Sequence, residues 1–390
     1  MFEKEGLNAK EVFEELNRIL EEDTEYESGR PVASMSSIPY QISSDIMAEH
    51  MERNLGRKHT FHGSAKIEKE VIEMIGDLVR VENACGTTTS GGTESNILAM
   101  VAAREIGDTN EPEIITPETI HSSVEKAAWL LGVKLVKTPV DSQYRAIPDE
   151  IEKAINDNTV GIFLTAGTTY VGQIDPIDRI GKIASDESLP LHVDAAFGGF
   201  VIPFLQELNL GNYPFSFEVP GVTSVSVDPH KTGLAPIPSG SLLFRKKEHL
   251  SAITREVPYI PFDCQIPTLL GTRPAAPVIA TWAIMKHLGR EGYQSIVEDC
   301  MSVTRLAQKK TQENPHLQCA IEPILNILGI ISNDISIDKI VTEMEKRGWM
   351  MGNCPLPVSF RIVIVPHVTE DVVNTFFDDL DEIASSLGTH

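Results

Sequence analysis

Cysteine is scarce in this chain of 390 residues: Cys85, Cys264, Cys300, Cys319 and Cys354 are all there is. They form no CxxC pair, which excludes the zinc-ribbon and dithiol redox classes. An odd, widely spread set is no disulfide framework, and a core of this size needs none. Positive charge is also short, with 33 Lys and Arg against 56 Asp and Glu and a net charge of −23. That balance argues against nucleic acid and against an anionic membrane surface as partners. Long apolar runs are missing too. The most apolar stretch, residues 195–205, is about half a membrane span and contains two glycines and a proline. Met1 is followed by Phe-Glu-Lys-Glu, which is not a secretory leader. No fixed-period repeat is present, so a solenoid is excluded. The expectation is a soluble cytoplasmic protein with free thiols.

What is present is an alternation of helix and strand patterns. Asn8 and Glu11 make a capping-box start, and Val12, Phe13, Leu16, Ile19 and Leu20 fall on one helical face. A second helix is predicted over 44–55, with an ordered Ser/Pro/Gly-rich loop over 28–42 between the two. Residues 1–60 therefore read as a helical arm suited to packing on a second subunit. Helices are predicted over 67–79, from about 93, and over 122–131 and 151–155. Short strands are predicted at 114–115, 134–137, 161–165, 191–193, 222–227 and 241–244. Short apolar strands separated by helices imply a mostly parallel sheet with crossover helices. This large unit is expected to span 61–290. After about residue 275 a long helix, two strands (327–331 and 360–365) and the helices 335–347 and 370–387 indicate a smaller α+β unit over 291–390.

Four local features follow one another within the large unit. Ser90-Gly91-Gly92-Thr93 stands directly before a helical run; free N–H groups at a helix start, approached through glycine, cradle phosphate. The same residues would also serve as a simple helix cap, but they lack the Gly-Lys-Ser/Thr of a P-loop and the GxGxxG of a dinucleotide site. His121-Ser122-Ser123 opens the next helix. His192-Val193-Asp194-Ala195-Ala196 ends a short strand in a carboxylate followed by small residues, at the sheet edge where α/β proteins bind ligands. Asp194 is a candidate to pair with a pyridine nitrogen, or else a helix cap. Asp228-Pro229-His230-Lys231 follows another strand. A sheltered lysine there forms imines with aldehydes; an unsheltered one is a surface residue.

A phosphate cradle, an aromatic His, a ring-nitrogen Asp and an imine Lys, in that order, resemble the group II pyridoxal-phosphate decarboxylases of fold type I. Within them the chain is similar to the archaeal L-tyrosine/L-aspartate decarboxylase family of methanogens. The similarity runs over nearly the whole chain, through NLGRKHTFHGSAKIE, SGGTESN, HVDAAFGGFVIPFL, SVDPHKTGLAPIPSG, GTRPAA, LGREG, IEPILNI and FRIVIVPHVTE. The resemblance implies an α/β fold: a transferase-like large domain with a mostly parallel seven-stranded sheet, a smaller α+β C-terminal domain and an N-terminal helical arm. It implies pyridoxal 5′-phosphate as cofactor, with Lys231 as its imine residue, Asp194 on the ring nitrogen and His121 stacked on the ring. Gly92, Thr93 and His230 would hold the phosphate, Thr169 would lie near the phenolic oxygen, and Ala196 would pack on the ring. Arg361 matches a substrate-carboxylate clamp, and Tyr259 a loop tyrosine that donates a proton to Cα. Gly271 and Thr272 would reach the phosphate of the partner in a homodimer with shared active sites. The implied reactions are L-tyrosine to tyramine, for methanofuran, and L-aspartate to β-alanine, for coenzyme A. Glutamate decarboxylation, a carbon–carbon lyase of the sphingosine-phosphate lyase type, a carbon–sulfur enzyme and a silent scaffold are the alternatives.

Overall fold

The structure is a computed structural model that describes residues 4–258 and 265–388. Seven strands form the central sheet: β1 (Cys85–Thr89), β2 (Glu113–Pro117), β3 (Lys134–Thr138), β4 (Thr159–Thr165), β5 (Leu191–Asp194), β6 (Val222–Val227) and β7 (Gly240–Phe244). Their order is β1-β7-β6-β5-β4-β2-β3, and β7 alone runs antiparallel to its neighbours. The remaining strands point the same way, so their carboxyl ends open on one edge.

Strand side chains alternate between faces, and two apolar layers follow from that alternation. Ile114, Phe163 and Leu242 pack under the helices Gly92–Ile106 and Ser122–Leu131. Their neighbours Ile115, Ile162, Leu164 and Leu243 belong to the layer on the other face. The inner strands are buried on both sides, as parallel strands are, while the edge strand β3 is partly exposed.

Helix Ala276–Glu313 leads out of this unit and is broken at Gly289, where φ is 58° and ψ −170°. A four-stranded antiparallel sheet follows, Leu317–Cys319, Ile327–Ser332, Val358–Val363 and Asn353–Pro355 in spatial order, with helices Ile337–Lys346 and Glu370–Leu387. The predicted helix at 44–55 is observed at Gln41–Glu49, and the capping box at Asn8 and Glu11 is formed. Residues 30–32 run along the small unit: Val363 N–H donates to Val32 O at 2.7 Å and Met350 N–H to Arg30 O at 3.0 Å. Helix Ala9–Leu20 buries none of its residues.

Candidate active site

The site forms where β1, β2, β4, β5 and β6 end. After β1 the chain turns through Gly91, whose φ of +147° is one that L side chains rarely adopt; a Cβ there would stand 2.8 Å from His230 Cε1. Glu94 closes the turn by accepting from Ser90 N–H at 2.7 Å and Ser90 Oγ at 2.8 Å. After β2, His121 caps helix Ser122–Leu131, and its Nδ1 lies 3.2 Å from the Ser123 N–H and 2.8 Å from Ser123 Oγ.

At the end of β5 the Asp194 carboxylate accepts from Asn96 Nδ2 at 2.7 Å, Ala196 N–H at 3.0 Å and Ser226 Oγ at 3.2 Å. Burial alone would raise this carboxyl, but the Lys231 charge, the Asn96 hydrogen bond and His121 outweigh it and hold Asp194 below the usual carboxylate range. After β6 comes Asp228, which accepts from Gly92 N–H at 2.9 Å and lies 3.8 Å from Lys231 Nζ. Here burial wins over the neighbouring cations and pushes the carboxyl up. His230 Nδ1 accepts from Ser239 N–H at 3.1 Å, which leaves Nε2 3.6 Å from Asp228. Arg361 arrives from the small sheet, donating to Thr169 O at 2.6 Å and Ala33 O at 3.3 Å.

These residues enclose a cavity of about 430 Å³. Among the residues singled out in the sequence, Lys231, Asp194, His121, His230 and Ala196 line it, and so do Gly92, Thr93, Thr169 and Arg361. Gly271 and Thr272 do not; they are exposed at the end of a loop beside Gly56. Tyr259 lies outside the described residues. From the sequence alone no role emerges for Asp228, Asn96, Ser226 or Ile237. Asp228 and Asn96 stand inside the motifs quoted above, but their significance depends on contacts made 136 and 98 positions away.

The pyridoxal-dependent decarboxylase conserved domain matches residues 3–328. The chain belongs to this family. A decarboxylase of Pyrococcus horikoshii named for L-aspartate and L-glutamate is 41% identical over 98% of this chain and 100% of its own length. The L-aspartate decarboxylase of Thermococcus kodakarensis is 40% identical over 99% of this chain and 100% of its own length. A probable L-tyrosine/L-aspartate decarboxylase of Methanothermobacter thermautotrophicus is 40% identical over 92% of this chain and 98% of its own. Among solved structures, a sphingosine-1-phosphate lyase of Burkholderia pseudomallei superposes with a TM-score of 0.92 at 26% identity, covering 100% of this chain and 93% of that one. A Lactobacillus brevis glutamate decarboxylase gives a TM-score of 0.90 at 20% identity, covering 100% and 95%, a likeness of fold.

The residues present fit the family's cofactor, pyridoxal 5′-phosphate. The cavity volume is within the roughly 300–1,000 Å³ of small-ligand sites. Asp228 Oδ1 and Thr165 Oγ1 are buried against it with no hydrogen-bond partner among the described residues. A side chain at Gly92 would crowd the turn: a Cβ would lie 3.1 Å from Asp228 Oδ2 and 3.2 Å from Ala196 Cβ, so both would have to give by a few tenths of an ångström. A glycine turn at a helix start, an amine and an anionic carboxylate are the donor set for a phosphate, an aldehyde and a protonated pyridine. Among the described residues no cluster is placed to hold a metal, and no helix is long and apolar enough to cross a membrane.

Proposed function

We propose that this decarboxylase removes the α-carboxylate of L-aspartate and of L-tyrosine, giving β-alanine and tyramine, with Lys231, Asp194 and His121 as the residues that face the cofactor. The observation that carries the reading is the meeting of these three with Arg361 around one cavity. Lys231 Nζ would hold the cofactor through its aldehyde carbon. Bound there, the cofactor supplies an electron sink for the pair released when the Cα–carboxylate bond breaks. Asp194, an anion at the end of β5, holds the proton on the ring nitrogen. His121 and Ala196 would pack on the ring. Gly92, Thr93 and His230 would hold the phosphate, and Thr169 would lie near the phenolic oxygen.

Arg361 orients the substrate by its carboxylate, for which a guanidinium fork is matched. CO₂ leaves, and a proton is delivered to Cα from Lys231 Nζ or from Tyr259. The L-aspartate and L-tyrosine names of relatives about 40% identical over nearly their whole length support the substrate choice; L-glutamate shares one name. These products would serve coenzyme A and methanofuran synthesis in an archaeal cytoplasm.

The same reading makes the protein a homodimer. Gly271 and Thr272 are exposed on this chain, free to reach the phosphate of a second copy, and the unburied helix Ala9–Leu20 would pack on that copy. It also divides the chain into an arm, a cofactor domain and a small domain near Gly289.

The test is a panel of L-aspartate, L-tyrosine and L-glutamate, with amines detected by mass spectrometry. Lys231→Ala is expected to lose borohydride-reducible cofactor and more than about 100-fold in turnover. Absence of CO₂ from all three substrates would overturn the reading. Release of an aldehyde in its place would favour the carbon–carbon lyase alternative, for which the likeness to the sphingosine-1-phosphate lyase speaks.

A further inference from the structure

Asn96 is fully buried behind the cavity, at 0% exposure, on helix Gly92–Ile106. Its amide nitrogen reaches Asp194 Oδ2 at 2.7 Å and Ser123 Oγ at 2.8 Å. Its amide oxygen is 2.9 Å from His192 Nε2, and His192 Nδ1 is 2.9 Å from Ser224 Oγ. Ser123 Oγ in turn lies 2.8 Å from His121 Nδ1.

The donors and acceptors fit one arrangement, fixed at its far end by the Ser123 N–H aimed at His121 Nδ1. An ionised Asp194 only accepts, so the amide nitrogen must face it. One amide hydrogen goes to Asp194 and the other to Ser123 Oγ. The hydroxyl hydrogen of Ser123 is then free for His121 Nδ1, where the Ser123 N–H also points at 3.2 Å. The single lone pair of Nδ1 is shared by these two donors and Nδ1 carries no proton, so a neutral His121 has its proton on Nε2, the nitrogen left for the cavity. At the other end the amide oxygen needs His192 as Nε2–H, and His192 Nδ1 accepts from Ser224. Burial holds His192 down at about 4, in keeping with a neutral ring.

We propose that Asn96 is the positioning residue that sets both ring-facing groups together: it keeps Asp194 an anion and, through Ser123, fixes His121 as the neutral Nε2–H tautomer. His121 thereby offers the cavity a hydrogen-bond donor for an anionic oxygen. The proposal rests on the reading that Asp194 and His121 face the pyridoxal ring. His121 is faced by Asp194 from β5, Lys231 and Asp228 after β6, and Arg361 from the small sheet; burial, ahead of these charges, holds its imidazole below the usual histidine range.

The experiment is nitrogen NMR on protein labelled in histidine, cofactor-free and after reconstitution, with His121 assigned through His121→Gln. In the wild type at neutral pH, Nδ1 of His121 is expected in the unprotonated range and Nε2 in the protonated range. Nδ1–H in the wild type would overturn the proposal whether or not any variant folds. Asn96→Asp accepts where Asn96 donates, so His121 should take up a proton nearer neutrality and cofactor dissociation should rise at least tenfold. Asn96→Ala should weaken the cofactor by a similar factor; unchanged affinity would sink the proposal. Borohydride labelling of Lys231 in the wild type separates the two readings. Without that label the wider reading fails, while the tautomer is still decided on the cofactor-free protein.

Discussion

Two buried carboxylates share the cavity and are driven apart. Asp194 is surrounded by donors and pulled down, whereas Asp228 Oδ1 has no hydrogen-bond partner among the described residues and its carboxyl is pushed up by burial. Such divergence between neighbouring acids is what acid–base sites are built from. The sign of its effect on stability follows. A raised folded pKa means that the folded state holds the proton more tightly than the unfolded chain, so stability falls as pH rises through the range above the ordinary carboxylate value. Asp228→Asn keeps an acceptor for Gly92 N–H and removes the group that is costly to ionise. The cofactor-free variant should therefore be more stable than the wild type in urea at pH 7, with the advantage fading towards about pH 4. A variant weaker at both pH values would refute this. Lys231, Asp194 and His121 were legible in the sequence because each stands just past or at the end of a short strand, next to small or capping residues. Asp228 was quoted there but stayed mute, since its meaning lies in Gly92, far along the chain.

At the scale of elements, the strands richest in Val, Ile and Leu were readable and β1 was not. Its sequence, CGTTT, is polar, and its threonines are buried by pairing with β7 and by a salt-bridged cluster no periodicity announces. Arg273 donates to Thr88 Oγ1 at 2.7 Å and pairs with Glu68, which Lys58 also meets at 2.8 Å. That cluster holds the loop carrying Gly271 and Thr272. The sequence predicted the first helix correctly, and its apolar face is bare: Phe13 is 64% exposed and Ile19 53%. Twelve residues make a helix too short to persist alone in water, and in the proposed homodimer a second copy of the chain would be the surface that stabilises it. The double variant Phe13→Ser with Leu16→Ser should weaken the dimer in sedimentation while leaving thermal unfolding of the remaining fold unchanged. A dimer of undiminished stability would show that the arm plays no part in assembly.

For the whole molecule, the order of helices and strands was enough to read a mostly parallel sheet, but not the position of β7, which inserts antiparallel between β1 and β6. Strand order depends on which edges close over the core, and a single sequence carries that only weakly. The net charge of −23 was plain, and it combines with the Glu68 cluster into one prediction about acid. Lowering the pH from neutrality first relieves repulsion among carboxylates, which should raise stability slightly. Burial opposes ionisation of Glu68, but Arg273 and Lys58 outweigh it and lower its carboxyl from 4.5 to about 2. A depressed folded pKa gives stability that is present above the unfolded value and lost as pH falls through the folded one. Between about 4.5 and 2 the molecule should thus lose on the order of 3 kcal/mol through this one group. Salt separates the two effects, because it screens exposed charges far more than buried ones. Added sodium chloride should flatten the gain near neutrality and leave the acid loss in place. Glu68→Gln should be weaker than the wild type by roughly 3 kcal/mol at neutral pH, since it strands a buried Arg273, and should lose less than the wild type below about pH 4.5. If the variant and the wild type fall in parallel in acid, Glu68 is not the group that titrates.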